Sequence, residues 1–144
     1  MQVDFYQLSA TPAEGALPLI ARNTLKAGER LLVLSGDADL LGRISDALWA
    51  LKDSFLAHGR GDEPHADRQP ILLSADSDPV NSARYVAMAD GRWRDEALEF
   101  ERAFLLFDNS TIEDARATWR QLDGREGLER NFWRQEDGRW IKAA

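Results

Sequence analysis

The sequence predicts an α/β fold of the Rossmann-like kind, with three layers in which helices cover both faces of a mostly parallel central sheet. Two observations predict it: the chain contains short apolar runs typical of strands buried on both faces, and these runs alternate with amphipathic helical segments. Strands joined by crossover helices pair in parallel. The chain has 144 residues, 44% of them hydrophobic, so we expect residues 1–144 to form a single domain.

The first half of the chain is predicted to hold two strand-helix units: a strand over residues 3–8, a helix around 17–25, a strand over 30–34 and a helix over 38–52. The first helix tolerates Pro18 only in its first turn. Asp37 or Asp39 can cap the second helix. The stretch from His58 to Gln69 has no periodicity, and we expect it to be an exposed loop.

The second half is predicted to contain strands over residues 71–74, 84–88 and 103–107, with a helical turn over 95–100. Ser110 and Glu113 have the spacing of a capping box, which opens a helix that ends near Leu122 or Asp123. An Asp137-Gly138 pair predicts a terminal hairpin over residues 132–142.

The charge of the chain favours a small acidic partner. A net charge of -7 argues against broad contact with DNA or RNA, whose phosphates require a basic surface. Residues 116–144, however, carry seven basic and five acidic side chains. A locally basic end on an acidic body suits a short acidic segment better than a long polyanion.

The composition also excludes several classes of protein. The chain has no cysteine, which excludes disulfides, thiolate catalysis and zinc sites built on sulfur. Its apolar stretches are far shorter than the roughly 20 residues that cross a bilayer, and its acidic first residues do not resemble a signal peptide. We expect no membrane contact and a cytoplasmic location.

No motif for catalysis is evident. The turn over residues 35–42 lacks the glycine spacing of a nucleotide site and places Asp37 and Asp39 where phosphate would lie. His58 and His65 lie among acidic residues that could bind a metal, but a solvated loop is the alternative. Asp76-Ser77-Asp78 follows a strand, yet it is also a common turn composition. We expect no catalytic residue, metal or cofactor; the alternative is a small nucleotide- or metal-dependent α/β enzyme.

The informative residues are aromatic. At about 100° per residue, Trp49 falls roughly 150° from the centre of the apolar stripe of its helix, so it should face away from the sheet. A large aromatic residue in that position is either covered by a loop of the same chain or reserved for a partner.

In the last helix, Arg116, Trp119 and Arg120 follow one another at i, i+3 and i+4. Two guanidinium groups beside an indole can grip a carboxylate while an apolar residue packs next to it. Trp119 also belongs to an ordinary core stripe with Ile112 and Leu122. The pattern leaves open whether Trp119 belongs to a pocket or to the core.

Five segments resemble the chi subunit family of bacterial DNA polymerase III. The first strand and the stretch KAGERLLV at 26–33 are similar to the first two strands of that family. DALW at 46–49 and SFLAH at 54–58 resemble the family's DEALW and SFxPH, without the glutamate and with Ala57 in place of proline. FWRQEDGRW at 132–140 resembles a common family ending, YWQQDxxGRW.

The resemblance implies a non-catalytic adaptor that links the clamp loader to single-stranded-DNA-binding protein. Family members bind the acidic C-terminal tail of that protein, which ends in phenylalanine. The residues similar to the tail pocket are Trp49, Arg116, Trp119 and Arg120, whereas Ile112 stands where relatives carry a lysine. DNA would then be reached only indirectly.

The resemblance also implies a second partner, the psi subunit or another clamp-loader subunit. Phe55 resembles part of that contact surface, although it could equally be core. A self-associating structural subunit is a third class of function that the sequence leaves open.

Overall fold

The computed structural model describes residues 1–52 and 54–144. Its strands are β1 (Gln2–Gln7), β2 (Leu31–Leu34), β3 (His58–Arg60), β4 (Ile71–Ser74), β5 (Tyr85–Met88), β6 (Arg102–Phe107), β7 (Glu129–Glu136) and β8 (Arg139–Lys142). They form one eight-stranded sheet in the order β3-β4-β2-β5-β6-β1-β7-β8. Each neighbouring pair is parallel except β7 with β8.

Helices cover both faces of this sheet. The helices are α1 (Ala13–Lys26), α2 (Ala38–Ala50) and α3 (Ile112–Gln121), with short 3-10 turns at Ala66–Arg68 and Asp95–Glu99. α1 and α2 pack on one side, here called the first face, and α3 packs on the other, the second face. The predicted three-layer α/β fold with a mostly parallel sheet is confirmed. In the described part of the chain, no helix has the length and apolar character to span a membrane.

The strand residues alternate between two cores. On β2, Leu31 and Val33 belong to the core under α1 and α2, while Leu32 and Leu34 belong to the core under α3. All four are buried, as expected for a central strand covered on both sides. The sheet therefore separates whatever lies on α2 from whatever lies on α3.

A buried carboxylate ties β1 to its neighbours. Asp4 is fully buried and accepts hydrogen bonds from Arg102 Nε at 2.8 Å, Asn131 Nδ2 at 3.1 Å and Trp133 Nε1 at 3.1 Å. Burial, followed by the charge of Asp4, raises the pKa of nearby Tyr6 to about 12. Gln2 Nε2, on β1 itself, also donates to the two Asp4 oxygens at 3.2 and 3.1 Å. Four donors on three strands thus satisfy the Asp4 carboxylate, as a buried charge requires.

Three local predictions need correction. The expected loop from His58 contains the edge strand β3, which pairs with β4 although its half-buried residues carry no apolar pattern. The capping box is wrong, because the Ser110 hydroxyl donates to Asp108 and α3 follows Thr111, whose side chain makes no cap hydrogen bond. Pro18 lies in the second turn of α1, not the first, because the helix already begins at Ala13.

The C-terminal hairpin is confirmed. β7 and β8 are antiparallel, and the turn between them has Asp137 at φ 49° and Gly138 at φ 76°. Two consecutive residues with positive φ are typical of a type I′ turn. β7 begins earlier than the sequence predicts and pairs in parallel with β1, which brings the end of the chain beside α3.

Candidate functional site

The first candidate site is the outer side of α3, called here the α3 surface (Arg116, Trp119 and Arg120). Ala115 and Leu122 are buried against the second face. The side chains of Arg116 and Arg120 therefore point toward solvent and are exposed. Arg116 Nη1 donates to Glu113 Oε1 at 3.2 Å, and the two side chains are 55% and 82% exposed. An exposed pair of this kind contributes little, so the Arg116 guanidinium can exchange it for another carboxylate.

Trp119 links this surface to the core. Its ring packs edge-on against Phe5 at a centroid distance of 5.1 Å and against Phe132 at 5.7 Å. Edge-to-face contacts of this kind stabilise aromatic clusters beyond the area that they bury. Trp119 is half-buried, so one part of the indole supports the core while the other reaches the surface.

Sequence reasoning missed Arg130, at the start of β7. Its guanidinium lies 4.0 Å from the centroid of the Trp119 ring, donates to the Trp119 carbonyl oxygen and donates to Asp123 Oδ1 at 2.7 Å. Arg130 therefore holds the end of α3 and one face of the indole. The sequence offered no signal for it, because the contact depends on the pairing of β7 with β1.

The second candidate site is the aromatic pair, Trp49 and Phe55. Trp49 is 54% exposed and Phe55 is 78% exposed, with ring centroids 5.7 Å apart. Phe55 is therefore surface, not core. The ring of His58 lies 4.4 Å from Trp49 and is held at both nitrogens, by the Ser45 hydroxyl and the Leu56 carbonyl oxygen, each at 2.8 Å. The two hydrogen bonds fix the His58 ring beside the indole of Trp49, and much of the indole stays exposed to solvent.

The structure does not bring Trp49 together with Arg116, Trp119 and Arg120. Trp49 lies on α2, over the first face, whereas the other three lie on α3, over the second face. The four residues that resemble the family's tail pocket therefore do not share one pocket, because the sheet lies between Trp49 and the other three. The helical wheel correctly predicted that Trp49 points away from its own core, but it could not predict which face of the sheet α2 covers.

At the carboxyl edge of the sheet, where nucleotides bind in related folds, backbone amides donate to carboxylates of the chain itself. The Asp37 side chain accepts from the backbone N–H groups of Asp39 and Leu40, and the Asp90 side chain accepts from Gly36 N at 2.9 Å. Arg94 grips Asp90 with two hydrogen bonds of 3.0 Å.

The hydrogen bonds to Asp90 also change the pKa of its carboxyl group. Burial would raise the pKa of Asp90, but the hydrogen bonds from Arg94, Gly36 and Arg92 outweigh it, and the pKa is lowered. A crevice of about 500 Å³ beside it is lined by further acids, including Glu14 and Asp108. The amides that would bind phosphate are therefore occupied, and the crevice is acidic.

The remaining candidates for metal binding or catalysis are dispersed. His58 supports Trp49, and His65 is exposed in a left-handed turn with φ 66°. Asp76 accepts from the backbone N–H of Asp78 at 3.0 Å, which is a local turn. Among residues 1–52 and 54–144, no group of three or more His, Asp or Glu side chains is arranged to hold a metal ion.

A comparison with protein-family models matches residues 1–141 to the family described as DNA polymerase III chi subunit, HolC. The chain belongs to the chi subunit family. Membership assigns it to DNA replication, as an accessory subunit of DNA polymerase III, and agrees with the resemblance of the strand and helix motifs. A comparison with curated proteins found no significant match.

Proposed function

We propose that this chi-family chain is a non-catalytic adaptor with two partners, one on each face of its sheet. The α3 surface binds the acidic, phenylalanine-ended tail of single-stranded-DNA-binding protein. The aromatic pair binds the psi subunit or another clamp-loader subunit. The observation that carries the proposal is the separation of a cationic, aromatic surface on α3 from an exposed apolar pair beside α2.

The chemistry of the α3 surface supports an anionic, aromatic-ended peptide. Arg116 and Arg120 are exposed and one turn apart, and guanidinium groups bind carboxylates through two parallel hydrogen bonds. The exposed part of Trp119 offers an apolar contact for a phenyl ring. A short extended peptide loses chain freedom on docking, so we expect micromolar affinity, roughly 7 to 8 kcal/mol.

The aromatic pair supports a different kind of contact. Trp49 and Phe55 are apolar, adjacent and mostly in solvent, and aromatic residues are enriched at the energetic centres of protein interfaces. Trp49 is therefore reassigned from the tail to the second partner. Such a surface requires an apolar partner, which the psi subunit or another clamp-loader subunit would provide.

Two features support an adaptor without catalysis or direct DNA binding. The phosphate-binding amides at the carboxyl edge are bonded to Asp37 and Asp90. The net charge of -7 opposes a nucleic-acid backbone, so DNA is reached through the binding protein. Submicromolar binding of oligo-dT at physiological salt would contradict this part of the proposal.

The test is a titration with a fluorescent, acidic peptide of about ten residues that ends in phenylalanine. Arg116→Ala should weaken binding about 10- to 100-fold, because a charge-assisted hydrogen bond contributes about 1.5 to 3 kcal/mol. Arg43→Ala is the matched control: Arg43 is 53% exposed and paired with Glu14, much as Arg116 is paired with Glu113, but it lies on α2.

Trp49→Ala should bind the peptide as the wild type does, and so should Arg43→Ala. The tail assignment fails if Arg116→Ala binds like Arg43→Ala. Loss of peptide binding in Trp49→Ala would instead indicate that the tail binds on the first face, at Trp49. A separate pull-down with the psi subunit should lose signal in a Trp49→Ala, Phe55→Ala double variant and keep it in Arg116→Ala.

A further inference from the structure

The second face is only partly covered by α3. Phe132 of β7 packs in the second core, and side chains on a strand alternate between faces, so Arg130 and Arg134 point to the same side as Phe132. Phe132 stays half-buried and Arg134 is exposed. An open shelf therefore runs from Trp119 on α3 onto β7; we call it the β7 shelf (Arg130, Phe132 and Arg134).

The shelf has an aromatic floor that is continuous with the α3 surface. The rings of Trp119 and Phe132 lie 5.7 Å apart at an interplanar angle of 87°, and Phe5 packs behind both. A phenyl group that docks beside Trp119 would thus meet Phe132 as well. The floor belongs to two elements, which the sequence pattern of α3 alone does not reveal.

The two arginines of the shelf differ in what they can offer. Arg130 is committed to the Trp119 ring, the Trp119 carbonyl oxygen and Asp123. Among the residues that the structure describes, Arg134 donates only to Glu136, two residues on, at 2.9 Å, and both side chains are about half exposed. An exposed pair of this kind contributes little, so the guanidinium of Arg134 is the one available to a ligand.

The position of Arg134 along the β7 shelf can be compared with that of Arg116 along α3. Arg130 contacts Trp119. Along the axis of α3, the backbone of Arg116 lies about 4.5 Å from that of Trp119, toward the carboxyl edge of the sheet. On β7, Phe132 lies about 7 Å and Arg134 about 13 Å from Arg130 in that same direction. Arg116 and Arg134 therefore lie on the two elements that border the shelf, and Phe132 lies at a height between them.

We propose that Arg134 binds a carboxylate of the acidic tail on the β7 shelf, with the tail's phenyl group on the floor formed by Trp119 and Phe132. The inference deepens the proposed function and depends on it. Charge complementarity supports it, because a tail with several carboxylates would meet cations on both sides of an aromatic floor.

The test uses the same fluorescent peptide, with Arg134→Ala as the variant and Lys142→Ala as its control. Lys142 is exposed on the same hairpin, but it pairs across from Trp133, so its side chain lies on the first face. Both changes remove one positive charge from the hairpin. Arg134→Ala should weaken binding about tenfold, and Lys142→Ala should weaken it less than twofold.

The outcomes separate this inference from the proposed function. If Arg116→Ala weakens binding while Arg134→Ala equals Lys142→Ala, the tail binds α3 without β7 and only this inference is overturned. If neither arginine variant differs from its control, the tail assignment itself is overturned. Raising the salt concentration should reduce the difference between Arg134→Ala and Lys142→Ala, because the contact is exposed and ionic.

Discussion

Replacing Trp119 by alanine tests whether this residue supports the second core as well as the proposed tail site. The indole contacts Phe5, Phe132 and Arg130. A fully buried tryptophan replaced by alanine costs about 3 to 5 kcal/mol. Trp119 is half-buried, so we expect about 2 to 3 kcal/mol, which includes two edge-to-face contacts and one stacked guanidinium.

The measurement is urea-induced unfolding, with the midpoint and slope compared between variants. Trp119→Phe is the control, since it keeps a ring against Phe5 and Phe132 and should lose only about 1 kcal/mol. Arg116→Ala should unfold like the wild type because Arg116 is exposed. A loss below about 1 kcal/mol in Trp119→Ala would refute the reasoning that its ring is part of the core.

Three further outcomes are expected. Asp4→Ala should lower the free energy of unfolding by about 3 to 5 kcal/mol, because it leaves Arg102, Asn131 and Trp133 without their acceptor; a loss below 1 kcal/mol in urea unfolding would contradict this. The fold lowers the pKa of Asp90, so its stabilisation is present at neutral pH and lost as the pH falls below about 4. Acid unfolding should therefore depend less steeply on pH in Asp90→Asn, and an unchanged slope would exclude that role. Phe55→Ala should change stability by less than about 0.5 kcal/mol, since Phe55 is 78% exposed, and a loss above 1 kcal/mol in urea unfolding would place its ring in the core.

The fold was largely predictable from the sequence, because its central strands are continuous apolar runs. Ile71–Ser74 was predicted to the residue, and β2, β5 and β6 to within one residue at each end. β3 was missed because a short edge strand is only half-buried and carries no periodic signal. The start of α3 was misassigned because Ser110 bonds Asp108 rather than the helix amides.

The site was predictable only one element at a time. Helical periodicity correctly predicts that Trp49 faces away from its core and that Trp119 is a candidate core residue. It could not tell that the two helices cover opposite faces, because that depends on the order of strands in the sheet. For the same reason the contact of Arg130 with Trp119 had no signal in either segment.

The central claim is that the chain holds two partners at once, on opposite faces of its sheet. The most direct measurement is the affinity of the fluorescent tail peptide, determined by anisotropy with and without a saturating amount of the psi subunit. We expect the two dissociation constants to agree within about twofold and the anisotropy of the bound peptide to rise as the complex grows. Displacement of the peptide by the psi subunit would contradict the claim, because it would place both partners on one surface.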